Sequence, residues 1–169
     1  MIEMRPATVA DAAAINAVYN PYVRDTAITF DVEEITLDAR RRWLEERLRD
    51  PRTPVIVGAE DGRVVAFAAA APFDPRGAYE TSVKTSVFAA PGLEGAGWGR
   101  RLYAPLFDRL DRQDVHRAYA LIVAPNDRSV GLHKAFGFQQ VATLSEVGRK
   151  FGRYYDVMWF ERRNPRDLR

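Results

Sequence analysis

The stretch Glu94-Gly95-Ala96-Gly97-Trp98-Gly99-Arg100-Arg101 decides how this chain is read. Three glycines alternate with Ala96 and Trp98, and the sequence changes its period across them. Before the loop, Thr81 to Ala90 carries β-branched Thr81, Val83, Thr85 and Val87, the composition of a strand. After it, Leu102, Tyr103, Leu106, Phe107 and Leu110 share one helical face, with Arg100, Arg101, Asp108, Arg109, Asp111 and Arg112 mostly elsewhere. A strand, a glycine loop and a helix together present free backbone N–H groups and the positive end of a helix dipole. Glycine takes positive φ and lets an anion approach where a Cβ would block it. The loop reads as a seat for a pyrophosphate; the plainer alternative is a turn that only joins strand to helix. The spacing is G-x-G-x-G, which excludes the dinucleotide pattern G-x-G-x-x-G, and no G-x-x-x-x-G-K-[ST] phosphate loop occurs.

Downstream, Ala118 to Ala124 is an apolar run that predicts a strand buried on both faces. Pro125-Asn126-Asp127-Arg128-Ser129 leads into a short helix through His133, ended by Gly137. Gln139–Glu146 and Tyr154–Glu161 read as two final antiparallel strands, and Arg162 onward as polar. Upstream, Ile2–Pro6 reads as a strand, and Thr8 with Asp11 as a capping box for a helix carrying Ile15, Val18 and Tyr19 inward. Asn20-Pro21-Tyr22 is expected to break that helix, leaving Val23 to Ile35 irregular. Thr36 opens a second helix, Leu37 to Arg49, with Trp43, Leu44 and Leu48 apolar and its arginines and glutamates on a solvated face. Val55–Glu60 and Val64–Ala71 flank Asp61-Gly62-Arg63 as a hairpin. Pro72–Gly77 is a loop, and the central strand starts near Tyr79.

At 169 residues, 47% of them hydrophobic, the chain is expected to form one domain over 1–163 with a polar tail over 164–169. Twenty-five basic against 23 acidic residues leave a net charge of +2, which gives no electrostatic footprint for nucleic acid. There is no cysteine, hence no disulfide, no thiolate metal site and no cysteine nucleophile. No metal is expected. With no leader-like start and no apolar run of membrane-spanning length, a cytoplasmic protein is the expectation.

The chain resembles the GNAT acyltransferase superfamily, and within it the phosphinothricin N-acetyltransferase family. The resemblance rests on Ile2-Glu3-Met4-Arg5-Pro6-Ala7, Tyr19-Asn20-Pro21-Tyr22-Val23, Thr29-Phe30 and Ala78-Tyr79. It continues through Gly99-Arg100-Arg101-Leu102-Tyr103, Pro125-Asn126-Asp127 with Ser129, and Leu132-His133, so that it covers nearly the whole chain. It implies an α/β (α+β) fold in one domain: a mixed, mostly antiparallel sheet flanked by helices, with strands four and five splayed apart around a pantetheine arm. It also implies acetyl-CoA as cofactor and a small amine as partner. Val87, Phe88, Gly95, Ala96, Gly97, Trp98, Gly99, Arg100, Asn126 and Ser129 would then bind the cofactor. The plainer reading of Asn126 is a turn or helix-cap residue beside Asp127 and Ser129. Phe30 and Tyr79 would line the substrate pocket, although Phe30 reads as well as an aromatic packed under a loop. Dimerisation through the later strands is a further implication.

For catalysis, His133 falls on the position of a histidine that moves protons in such enzymes; the plainer reading is a buried histidine with satisfied nitrogens. The resemblance also calls for a glutamate base on the fourth strand, and Lys84 stands there. Lys84 is therefore neutral and itself a base, or a partner for an anionic substrate group, or the mark of lost chemistry. Glu94 puts a carboxylate at the head of the loop, where pairing with Arg100 or Arg101 would turn it outward. Pro105 sits inside the next helix, at an intrinsic cost of about 3 kcal/mol. Three functions follow in order: acetylation of a small amino-acid-like amine (phosphinothricin, methionine sulfoximine or methionine sulfone), a non-catalytic acyl-CoA-binding domain, and acetylation of peptide N-termini.

Overall fold

The computed structural model describes residues 1–168. Seven strands form one sheet: β1 (Ile2–Pro6), β2 (Val55–Glu60), β3 (Arg63–Pro72), β4 (Ser82–Ala89), β5 (Arg117–Val123), β6 (Gln139–Lys150) and β7 (Arg153–Arg163). Four helices cover it: α1 (Ala12–Asp25), α2 (Leu37–Arg49), α3 (Trp98–Leu110) and α4 (Asp127–Ala135). The sheet order is β1-β2-β3-β4-β5-β7-β6, antiparallel everywhere except between β4 and β5.

Both faces of the sheet's centre are buried, which is why β2 and β3 read as continuous apolar runs. Ile56, Ala66, Ala68, Ala70 and Val83 face α3, packing on Leu102, Tyr103, Leu106, Phe107 and Leu110. Val55, Val57, Phe67 and Ala69 face α1 and α2, against Ile15, Val18 and Leu44. The small alanines of β3 let the helices lie close. The hairpin turns at Asp61 (φ 49) and Gly62 (φ 78), two left-handed residues that match the strands' own twist.

Four expectations change. Helix α1 runs through Pro21 to Asp25, because its last turn buries Tyr22 and Val23 and that burial outweighs one lost backbone bond. Strand β5 is buried on one face only: Leu121 is 45% exposed, since its side faces a cavity rather than a helix. The last hairpin extends to Lys150 and Arg153 around a tight Phe151-Gly152 turn, with a bulge near Glu146 (φ 50) that polar composition concealed. The polar end is also packed further than expected. Arg162 forks onto Asp111 at 2.6 and 2.7 Å, and the buried Asn164 donates to the Val115 carbonyl at 2.9 Å.

The feature that positions function is a fork. Strands β4 and β5 pair only from Ser82 to Lys84 against Arg117 to Tyr119. Beyond that, β4 stays with β3 as far as Ala89 and β5 stays with β7 as far as Val123, so the two part. Thr85 closes the crotch by donating its hydroxyl to the Tyr119 carbonyl at 3.4 Å. The edges beyond it keep backbone N–H and C=O groups that no neighbouring strand satisfies.

Candidate active site

Two cavities meet at the fork. The first, about 630 Å³, lies on the α3 side and is lined by Val87, Phe88, Gly95, Gly97, Trp98, Gly99, Arg100, Asn126, Arg128 and Ser129, among others. Helix α3 starts from Gly97 at φ 84, a left-handed N-cap with no side-chain cap, so its first N–H groups stay free. Gly95 has φ 86, and a Cβ built at Gly95 or Gly97 would meet nothing within 4 Å. Both glycines therefore serve backbone conformation and leave open space above the loop. Arg100 and Arg128 add positive charge to the rim. The loop thus presents free backbone N–H groups and open space at the start of a helix, the geometry that an anionic group would need. Trp98 contributes through its backbone, since its indole is buried in the core over Gly58, where a Cβ would sit 2.7 Å from the ring.

Of the expected cofactor residues only Ala96 stays outside the cavity lining. Asn126 caps α4, its Oδ1 accepting from the Ser129 N–H at 3.1 Å, and it also lines the cavity; the two readings of this residue are compatible. Among the described residues Glu94 pairs with no arginine. Its carboxylate folds back on the loop, accepting from the Gly92 N–H at 2.8 Å, and it lies 3.5 Å from the Tyr22 hydroxyl, which donates to the Ala89 carbonyl at 2.7 Å. Burial and this neighbouring charge push the Tyr22 phenol up to about 12.

A slot of about 70 Å³ runs through the fork, between Thr85, Ser86, Val87 and Phe88 on β4 and Ala120 to Val123 on β5, with Asn126, Ser129 and His133 at its side. His133 is 3% exposed, and both ring nitrogens are engaged. Nδ1 lies 2.7 Å from the Ser129 carbonyl, which only accepts, so Nδ1 carries the proton. Nε2 therefore accepts from the buried Tyr103 hydroxyl at 2.9 Å. The Ser129 hydroxyl is 3.3 Å from Nδ1, and the residue lines both slot and cradle. Burial holds the imidazole below its ordinary pKa, so it is neutral at pH 7.

Past the slot, on the α1 and α2 side, lies a second cavity of about 540 Å³. Phe30 lines it, as expected, with its ring laid on the backbone of Gly148. Ser86, Phe88, Leu121 and Val123 wall both this cavity and the slot, so one ligand can enter from each side and meet between the strands. Tyr79 is not part of it: it stands in a short 3₁₀ turn, packed at a tilt against Phe73 at 5.3 Å with Arg76 over its ring. Lys84 occupies the last paired rung of the fork, opposite Ala71 and Tyr119. It shares a strand face with Ser86 and Phe88, but it does not line the cavity. It is half-buried, and its charge helps hold the nearby Asp74 carboxyl low, after the larger effect of Arg76.

The sequence reading missed the cavity's polar wall. Tyr19 donates to Asp31 at 2.7 Å and lies equally close to the Thr29 hydroxyl. Arg40, placed with the solvated arginines of α2, is instead 5% exposed. A signal existed: Arg40 lies three residues after Leu37 and four before Leu44, on the helix's apolar side.

These groups fit a ligand with an anionic head and an amide-bearing arm on one side, and a small polar molecule on the other. The acetyltransferase (GNAT) domain family matches residues 4–159. The chain is 47% identical to a phosphinothricin N-acetyltransferase of Streptomyces coelicolor, over 95% of each chain. It is 34% identical to an L-methionine sulfoximine/L-methionine sulfone acetyltransferase of Salmonella typhimurium, over 94% of this chain and 92% of that one. A solved phosphinothricin acetyltransferase from Sinorhizobium meliloti, in complex with acetyl-CoA, superposes with a TM-score of 0.91 at 25% identity, covering 96% and 88% of the two chains.

Proposed function

The chain belongs to the acetyltransferase (GNAT) family, and on that premise we propose how its residues divide the work of an acetyl-CoA-dependent N-acetyltransferase acting on the primary amine of a small amino-acid-like acceptor. The observation that carries the proposal is the fork: a glycine cradle opens on one side, an acceptor cavity opens on the other, and a slot of about 70 Å³ joins them.

The N–H groups of Gly95 and of Gly97 to Arg100, with the Arg100 and Arg128 side chains, hold the pyrophosphate. The freed edges of β4 and β5, with Asn126, hold the pantetheine amides, and Val87 and Phe88 wall the arm. Bound acetyl-CoA supplies an acyl group already activated as a thioester. The free β4 N–H groups beyond Lys84 are preorganised donors where negative charge develops. His133 keeps a proton on Nδ1, beside the Ser129 hydroxyl, while Tyr103 fixes its tautomer from behind. With Nδ1 already protonated and Nε2 accepting from Tyr103, His133 holds Ser129 in place rather than taking a proton, and the Ser129 hydroxyl donates a hydrogen bond to the leaving thiolate, which takes its proton from water. No carboxylate stands at the fork, where Lys84 takes its place, so the amine gives up its proton to water. Phosphinothricin, methionine sulfoximine and methionine sulfone are the acceptors to try first.

The reaction needs the acetyl-CoA of the cytoplasm, which is where we place the protein; no described helix is long and apolar enough to cross a membrane. We also place a second copy of the chain on β6. That strand is an exposed sheet edge, and Val141, Val147, Phe151 and Tyr154 leave more than half of their surface open along its hairpin.

The test is thiol release from acetyl-CoA over the three acceptors from pH 6 to 10, for wild type and Lys84→Glu. The rate is expected to climb with the deprotonation of the acceptor itself in wild type, and its midpoint to move down in Lys84→Glu. Binding of acetyl-CoA by calorimetry with no thiol release from any acceptor would favour a non-catalytic acyl-CoA domain instead. Sedimentation of wild type against Val147→Glu tests the dimer.

A further inference from the structure

We infer that Ile28 is the stop that limits the length of the transferred acyl group, so that the fork takes acetyl and turns away longer acyl-CoA thioesters. The inference rests on the N-acetyltransferase reading given above, and it adds a choice of donor to that site.

Among the described residues only Ile28 and Phe88 line the cradle, the slot and the acceptor cavity alike. The slot is the narrow point, about 70 Å³ against about 630 and 540 Å³ on its two sides. An acyl group handed from one ligand to the other passes between these two side chains. Thr85 closes one end of the slot through its bond to the Tyr119 carbonyl, and β4 and β5 form its long walls. Ile28 is the one lining residue that comes from the segment between α1 and α2.

Both jaws are held. The Phe88 ring meets Tyr19 edge-on at 4.9 Å and stacks on Phe67 at 5.6 Å, so it has nowhere to retreat. Opposite it, side chains fasten the segment that carries Ile28. The Thr26 hydroxyl accepts from the Ile28 N–H at 3.2 Å and donates to the Tyr22 carbonyl at 2.8 Å. On the other side Thr29 is clamped twice, its carbonyl by the buried Lys150 at 2.8 Å and its hydroxyl by Tyr19 at 2.7 Å. Ile28 is therefore pinned at both neighbours, and a β-branched side chain has little freedom at χ1 to swing aside. It leaves 46% of its surface open, an apolar face that a bound acyl arm covers.

Acetyl ends one carbon beyond its carbonyl. Each further methylene must push against Ile28 or take the space beside Ser86 and Leu121 that the acceptor amine needs. A methylene without room forfeits its burial and strains its neighbours. The bond changes are the same for any acyl group: the C–S bond breaks as the C–N bond forms, the amine gives a proton to water, and the thiolate takes one from water.

The test compares acetyl-, propionyl- and butyryl-CoA as donors to methionine sulfone, for wild type, Ile28→Ala, Ile28→Leu and Val32→Ala. Wild type is expected to favour acetyl over propionyl in kcat/KM by roughly tenfold or more, the worth of a methylene in an apolar pocket, and Ile28→Ala to bring the ratio to about threefold or less. Ile28→Leu, which conserves volume, should keep most of the preference. Val32 is 73% exposed on the same segment and lines none of the three spaces, so Val32→Ala should keep the wild-type ratio. Equal use of acetyl and propionyl by wild type, a ratio unmoved in Ile28→Ala, or an equal shift in Val32→Ala overturns the inference. If Ile28→Ala does not fold, Ile28→Val decides: a smaller shift in the same direction supports the stop, and no shift overturns it. If wild type releases thiol from none of the donors, the reading of the fork fails, and Ile28 is judged by calorimetry. Tighter binding of acetyl- than of propionyl-CoA by wild type, with the gap closed in Ile28→Ala, then supports it; equal affinities, or no binding, overturn it.

Discussion

Replacing Gly148 by alanine should damage the acceptor cavity from behind while leaving the cradle intact. A Cβ at this position would lie 2.1 Å from Cε2 and 2.2 Å from Cζ of Phe30. Ordinary contact begins near 3.4 Å, so ring or strand must yield by about 1.3 Å. Phe30 cannot simply swing away. Its neighbour Thr29 is tied at both ends, by Lys150 to its carbonyl at 2.8 Å and by Tyr19 to its hydroxyl at 2.7 Å. Overpacking of this kind costs about 1–3 kcal/mol, or roughly 2–4 °C of Tm per kcal/mol at this chain length. Because Phe30 lines the cavity that we assign to the acceptor, KM for the acceptor should rise several-fold while the calorimetric Kd for acetyl-CoA stays fixed. Phe30→Ala in the same chain should restore much of the stability, a coupling that only the contact itself explains. Gly131→Ala is the control. That glycine lies inside α4 with open space around its would-be Cβ, and alanine there should stabilise by about 0.5–1 kcal/mol. Unchanged Tm and KM in Gly148→Ala, or no rescue by Phe30→Ala, would refute the reasoning.

Gly97→Ala places a side chain at φ 84, costing about 1–2 kcal/mol, and puts a methyl group in the cradle; calorimetry should show weaker acetyl-CoA binding with acceptor KM unchanged. Asp111→Ala strands Arg162, which is 10% exposed at the side chain and also donates to the Phe136 carbonyl; chemical denaturation should show a loss of about 3 kcal/mol. His133 contributes a pH dependence whose sign is fixed by burial. Its folded pKa lies below the ordinary 6.5, so the unfolded chain takes up the proton first. Its stabilisation is complete above about pH 6.5 and is lost as pH falls towards the folded value. Urea midpoints should therefore drop less steeply below pH 6.5 in His133→Gln than in wild type.

Much of this arrangement could be read from the residues, and the failures share a cause. The strand, glycine loop and helix were legible because glycine spacing and helix phase are local properties, and α3's five inward residues are all buried as the 3.6 period required. Helix α2 begins and ends where Thr36 and the apolar stripe placed it. Pro21 misled because burial of Tyr22 and Val23 against the sheet is a tertiary gain invisible in a window of sequence. Arg40 was lost among Arg41 and Arg42 because composition averages over a run and only helical phase separates its members. Leu121 looked like a core residue because an apolar strand gives no sign of facing a cavity. The histidine's setting lay furthest from view. That Tyr103 and Ser129 occupy both nitrogens of His133 depends on α3 and α4 packing side by side, with Gly99 admitting Leu132 at a distance that no Cβ would allow.

The most direct test of the account follows the acceptor nitrogen itself. Wild-type protein is mixed with acetyl-CoA and methionine sulfone labelled with ¹⁵N at its α-amine, and the ¹⁵N–¹H spectrum is recorded with time. The fork predicts an amide resonance that grows in step with free thiol, one per turnover, and not when acetyl-CoA is omitted. Thiol release without that amide, or acetyl-CoA bound and stable beside every amino-acid acceptor tried, would contradict it.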